Sequence, residues 1–97
     1  MKNLIIQHLR NEDNVPFATF IATKEADQIL IAFSKCCKSD NFSKAKGVHI
    51  AKSRLDKGSK AILPFAMRGF EAKFKNRCKR YFICDNFVAN YRMDKVI

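Results

Sequence analysis

Three short apolar segments open the chain, each of strand length and each separated from the next by polar residues. Leu4-Ile5-Ile6-Gln7-His8-Leu9 is rich in β-forming side chains. Asn11-Glu12-Asp13-Asn14 then reads as a hairpin connection. Residues 17–23 form a second strand, with Pro16 at its start, where a missing N–H is tolerated. Lys24-Glu25-Ala26-Asp27 is the next turn and residues 29–33 are the third strand. Connections of about four residues predict an antiparallel meander. Phe17 and Ile21 lie on one alternating set and Phe20 on the other. A sheet that is apolar on both sides is expected to be covered on both faces, or to turn one face to a partner.

The pattern changes after residue 33. Residues 34–43 are a polar loop, and Ser43 is placed to cap a helix that Gly58 ends. Within 44–57, Val48, Ala51 and Leu55 fall on one stripe at helical spacing. Lys46, His49, Ser53 and Lys57 fall opposite, Lys44 and Lys52 flank the stripe, and Ile50 is an apolar residue among the polar positions. Gly47 sits in the first turns of this helix, where glycine costs about 1 kcal/mol against alanine. Three readings of it stay open: a close approach to the sheet, a close approach to a ligand, or no role at all. Residues 60–63 read as a short strand or an extended link, and Pro64 keeps Leu63 out of the helical region.

Residues 65–82 carry two periodicities at once. As a strand, Phe70, Ala72, Phe74, Cys78, Phe82 and Cys84 alternate with charged residues. As a helix, Met67, Phe70, Phe74, Cys78, Tyr81 and Phe82 share one arc. The segment has no Val, Ile or Thr and exceeds the usual strand length of about 3–10 residues, so a helix is predicted. In the tail, Phe87, Val88, Tyr91 and Met93 are placed to dock as a last turn or strand. The expected fold class is therefore α+β: a three-stranded antiparallel sheet, with room for a fourth short strand, packed by two helices. The 97 residues are expected to form one domain, with 1–34 as a β-meander scaffold and 35–97 as a basic helical portion.

Charge sharpens this division. The net charge is +10, but residues 1–34 hold three basic groups against four acids, a net of −1. The remaining residues carry the whole excess. An excess confined to one part of a chain points to an electropositive surface and a polyanionic partner. The apolar runs fall far short of the roughly 18–20 residues of a membrane span, so no membrane partner is expected. The N-terminus has one Lys before a short apolar run and no small-residue cleavage site, so no secretory signal is expected. Four cysteines without such a signal fit a reducing, cytoplasmic setting.

The main candidate site is the set of cations on the two helices: Lys44, Lys46, Lys52, Arg54 and Lys57 on the first, and Lys73, Lys75, Arg77, Lys79 and Arg80 on the second. Nucleic acid needs a row of cations rather than one, and helix turns of about 5.4 Å supply such a row. Ser43 and Lys44 at a helix start add a candidate phosphate seat. Phe42, Tyr81, Phe82 and Tyr91 are candidates to stack on unpaired bases, although a stripe of Phe on a helix is the usual mark of a core. Cys36, Cys37, His49, Cys78 and Cys84 supply soft metal ligands, but their spacing departs from paired zinc motifs, so buried free thiols and no metal are expected. Catalytic candidates are few. Cys36 or Cys37 with His49 would be a nucleophile and its base. Asp56, Glu71 and Lys73 would serve a metal-dependent nuclease, which places such residues on strands. The three glycines are isolated, so no phosphate loop is present. No enzyme activity and no cofactor are expected.

Residues 41–55, with Phe42-Ser43-Lys44, Gly47, Ile50-Ala51 and Arg54-Leu55, resemble a segment of small phage-encoded accessory proteins that act in host takeover or against host defence. The resemblance covers about a quarter of the chain. It implies a bacterial cytoplasm as the setting, and inhibition of host defence complexes, CRISPR effectors among them, by binding. Two partners are therefore expected: nucleic acid itself, or a host nucleoprotein complex whose nucleic-acid groove the cations would occupy.

Overall fold

The computed structural model describes residues 3–36, 43–57 and 61–92, without the side chain of Lys57. Gly58 and Met93, read as a helix stop and a docking residue, lie outside the described residues. The chain runs β1 (Leu4–Arg10), β2 (Pro16–Glu25), β3 (Gln28–Lys35), α1 (Lys44–Lys57), α2 (Phe65–Phe82) and β4 (Phe87–Ala89). The sheet order is β1-β2-β3-β4. The fold is α+β, as the apolar patterning predicts. β1, β2 and β3 form the expected antiparallel meander. The fourth strand comes from the tail and runs parallel to β3, pairing Ile29 with Phe87 and Ile31 with Ala89, so the sheet is mixed rather than wholly antiparallel. Two helices lie between β3 and β4, and that length of chain lets β4 return in the direction of β3. The other candidate strand shrinks to one bridge between Ile62 and Arg92.

The β2–β3 hairpin is tighter than its polar residues indicate. The strands continue to Glu25 and Gln28, and Ala26 takes a left-handed φ of 55° in the two-residue turn. At the other end of β2 the register shifts between Leu9 and Arg10 opposite Pro16, which has no N–H to give to β1.

Each face of the sheet is closed by one helix. Ile5, Leu9, Ala18, Phe20, Ala22, Ile29, Ile31 and Phe33 point to the face that Met67, Phe74 and Cys78 of α2 cover. Phe74 stacks on Phe20 with ring centroids 5.0 Å apart, and Phe70 meets Phe17 at 6.2 Å. The alternate residues Ile21 and Ala32 point to the opposite face, beneath Ala51 and Leu55 of α1. Residues 65–82 thus form the predicted helix, whose inward arc is Met67, Phe70, Phe74 and Cys78. Tyr81, placed on that arc by its spacing, is instead exposed.

At Gly47, α1 lies directly against the sheet. A Cβ built there would lie 2.8 Å from Thr19 Oγ1 and 3.4 Å from Ser34 Oγ, both on buried strand residues. Ser34 donates to Gly47 O at 2.8 Å, and Thr19 Oγ1 is 2.8 Å from His8 Nδ1. The close approach to the sheet read from the sequence is therefore present, and both hydroxyls that line it have partners. Gly69 has nothing within 4 Å of a built Cβ.

The two glycines should respond in opposite directions. Gly47→Ala should lower stability by about 1–3 kcal/mol through overpacking. Gly69→Ala, in an open helix interior, should raise it by about 0.5–1 kcal/mol. Urea unfolding of both variants checks this. Equal shifts of one sign would mean that α1 does not approach the sheet this closely.

Candidate nucleic-acid interface

The two basic helices lie on opposite faces of the sheet, so the ten candidate cations do not share one surface. On α1, Lys44, Lys46 and Lys52 are exposed, while the side chain of Lys57 lies outside the described residues. Lys46 and Lys52, six residues apart, diverge by about 120° around the helix, and Asp56 lies one turn from Lys52. The Ser43 hydroxyl accepts the Lys46 N–H at 3.2 Å, which confirms Ser43 as the cap and uses one of the amides that a phosphate would need.

Arg54 is turned into the fold. Its Nη1 donates to Phe33 O at 2.9 Å, and its guanidinium lies 5.0 Å from the centre of the Phe33 ring. β4 has paired with β3 only as far as Ile31, so the Phe33 carbonyl lies beyond the reach of β4, and Arg54 closes it from the other layer. Asn90 acts next to it, giving its side-chain N–H to Leu55 O at 3.1 Å, at the carbonyl end of α1.

On α2 the cations divide by flank. Lys75 is half-buried, 3.7 Å from Glu71 Oε1 and 5.7 Å from the centre of the Phe87 ring. Lys73, Arg77, Lys79 and Arg80 are exposed. Lys73, Arg77 and Arg80 share the flank nearest β1, where Arg77 Nη1 donates to Gln7 Oε1 at 3.0 Å. The helix's one acid, Glu71, is half-buried and accepts the Tyr91 hydroxyl. Burial and this carboxylate both raise the Tyr91 pKa, so the phenol keeps its proton. The exposed cations of α2 therefore run from Lys73 to Arg80, about 10.5 Å along the helix.

Of the aromatic candidates, Tyr81 is 55% exposed at the end of this cationic side. Phe82 packs against the core, Tyr91 is buried edge-on to Phe33 at 5.7 Å, and Phe42 lies outside the described residues. The most exposed large apolar residues among those described are Phe65, 82% exposed at the start of α2, and Ile83, 89% exposed at φ 50° just past its end. A β-branched residue in the left-handed region is unusual, and nothing in the sequence signals it.

The thiols and the catalytic candidates are not gathered. Cys78 lies in the core, where burial pushes its thiol up to about 11. Cys36 follows β3, while Cys84 donates to Asp27 O at 3.2 Å at the other end of that strand. Cys37 lies outside the described residues, and His49 is exposed on α1. Among the described residues no three His, Cys, Asp or Glu side chains are grouped as a metal site. Asp56 is on α1, across the sheet from Glu71 and Lys73, and Glu71 is held by Tyr91. His8 is shifted below its ordinary value by burial first, then by Lys44 and Arg10. No helix among the described residues is long and apolar enough to cross a membrane. Comparison with protein families, with characterised proteins and with solved structures finds no match to this chain.

Arg54→Ala should lower stability by about 1–2 kcal/mol, from the lost hydrogen bond and ring contact. The folded variant should keep its affinity for an oligonucleotide within about twofold. Chemical unfolding and an oligonucleotide titration of the same variant read the two effects. A large loss of affinity at unchanged stability would make Arg54 a contact residue instead.

Proposed function

We propose that this protein binds nucleic acid without catalysing a reaction on it, and that the outward side of α2 is the contact surface. The observation that carries this reading is the charge arrangement of α2. Lys73, Arg77, Lys79 and Arg80 are exposed, while the one acid of the helix is turned inward to Tyr91. Lys73, Arg77 and Arg80 share one flank and make a row that follows a phosphate chain, which carries a charge every few ångströms. Tyr81 stands beside the row and offers a ring to an unpaired base. α1 is the weaker candidate, because Lys46 and Lys52 diverge, Asp56 offsets Lys52 and Arg54 serves the fold.

The second reading has the protein occupy the nucleic-acid groove of a host complex in a bacterial cytoplasm. Charge disfavours it, since such grooves are themselves cationic and like charges repel. In the same setting, a protein with this surface engages the nucleic acid of the complex rather than its groove.

Titration of labelled single- and double-stranded oligonucleotides at about 50 mM salt should show binding, with log K falling against log salt at a slope of about −3 to −4. Reversing Lys73, Arg77 and Arg80 together to Glu should weaken binding by about tenfold or more and flatten that slope, while Lys46→Glu with Lys52→Glu should change it by less than about threefold. No binding at low salt would remove the proposal, and a dominant effect of the α1 pair would move the surface to the other face.

A further inference from the structure

β1 is an edge strand, with β2 as its one neighbour among the described residues. Which of its backbone groups face outward follows from hydrogen-bond alternation. Cys36 N–H donates to Phe17 O at 2.9 Å, so the odd-numbered residues of β2 bond towards β3. The even-numbered residues Ala18, Phe20 and Ala22 therefore bond towards β1, where they meet Leu9, Gln7 and Ile5. Leu4 and Ile6 turn their N–H and C=O groups away from the sheet.

Exposed edges are usually blunted by proline, a bulge or an inward charge. From Leu4 to Leu9 the register is regular, and the one shift lies beyond, at Leu9/Arg10. Ile6 is 38% exposed on the α1 side of the sheet, since α1 packs over β3 and β2. On the other side, Arg77 of α2 donates to Gln7 of this edge, and Lys73 and Arg80 lie one turn before and after it on the same flank of the helix. Their spacing along the helix is about 4.5–6 Å, and the two-residue repeat of a strand is about 6.6–6.8 Å. Successive same-side residues of an added strand would thus meet successive cations. Lys44 and Arg10 add positive charge on the α1 side, where both act on His8.

We propose that the outer edge of β1 takes up an acidic, extended segment of a partner protein as an added strand, with Lys73, Arg77 and Arg80 pairing its alternate carboxylates. Leu4 and Ile6 supply the backbone donors and acceptors, and the α2 flank supplies selectivity for acidic side chains. A second copy of this chain fits poorly, because pairing β1 with β1 would bring two Arg77 rows together. A phosphate chain also fits poorly, because it offers acceptors but no donor for the outward carbonyls.

The probe is a capped peptide of about seven residues alternating Glu and Val, long enough for an average strand. The full chain should bind it. N-methylation of the peptide amides that face β1 should weaken binding by about tenfold or more, as should replacing Glu by Lys. Ile6→Pro removes one outward N–H without touching a β1–β2 bond. That variant should lose the peptide and keep its oligonucleotide affinity, so the edge and the proposed nucleic-acid surface are read separately. The inference is overturned if the N-methylated peptide binds as well as its parent. It is also overturned if no peptide binding is seen at about millimolar concentration, or if a folded Ile6→Pro loses oligonucleotide and peptide together.

Discussion

The structure depends on one constraint: β2 and β3 are apolar on both of their faces. Phe20 and Ile31 point one way and Ile21 and Ala32 the other, and all four are fully buried. A single helix covers one face of a sheet, so two are needed, and they must lie on opposite sides. Everything about the distribution of charge follows from that. Helices that would have made one electropositive wall on a one-sided sheet instead make two separate surfaces. Gly47 is part of the same constraint, since α1 settles on the small residues of its face only where a side chain is missing.

A second join holds the layers in place. Residues 90–92 tie both helices and the 61–63 segment to the sheet. Asn90 meets the carbonyl end of α1, Tyr91 packs on Phe33 and binds Glu71 of α2, and Arg92 exchanges backbone bonds with residues 61–63. Arg54 completes this junction from α1. Charge that the sequence offers as a binding group is used here to satisfy a strand-end carbonyl and a ring face, where an unpaired polar group would be costly. Glu71 is treated in the same way. Its removal from the surface leaves the exposed charges of α2, from Lys73 to Arg80, all positive.

Periodicity made the elements legible. The three-strand meander, the Ser43 cap and the helix at 65–82 all follow from spacing and residue type, and so does the two-sided burial of the sheet. What was not legible depends on long-range contacts. Residues 87–89 carry too short a pattern to announce a parallel edge strand. Ala26 and Ile83 take left-handed backbone without the glycine or asparagine that usually marks it. Arg54 differs from Lys52 only in what lies under it. The candidate cations can be picked out in the sequence, but their division between two surfaces could be read only once the layers were placed. That β1 has one strand neighbour among the described residues is likewise a property of strand order, which a hairpin pattern does not reveal.

The α2 side offers a cationic row and an adjacent ring, and the β1 edge beside it offers backbone groups. α1 contributes mainly to closing the opposite face. The most direct measurement of this division is amide shift mapping by NMR as a short oligonucleotide is added to the full chain. Shifts concentrated on Lys73, Arg77, Lys79, Arg80 and Tyr81, with residues 44–56 unmoved, are the predicted result. Shifts concentrated on α1, or spread evenly over both helices, would contradict it.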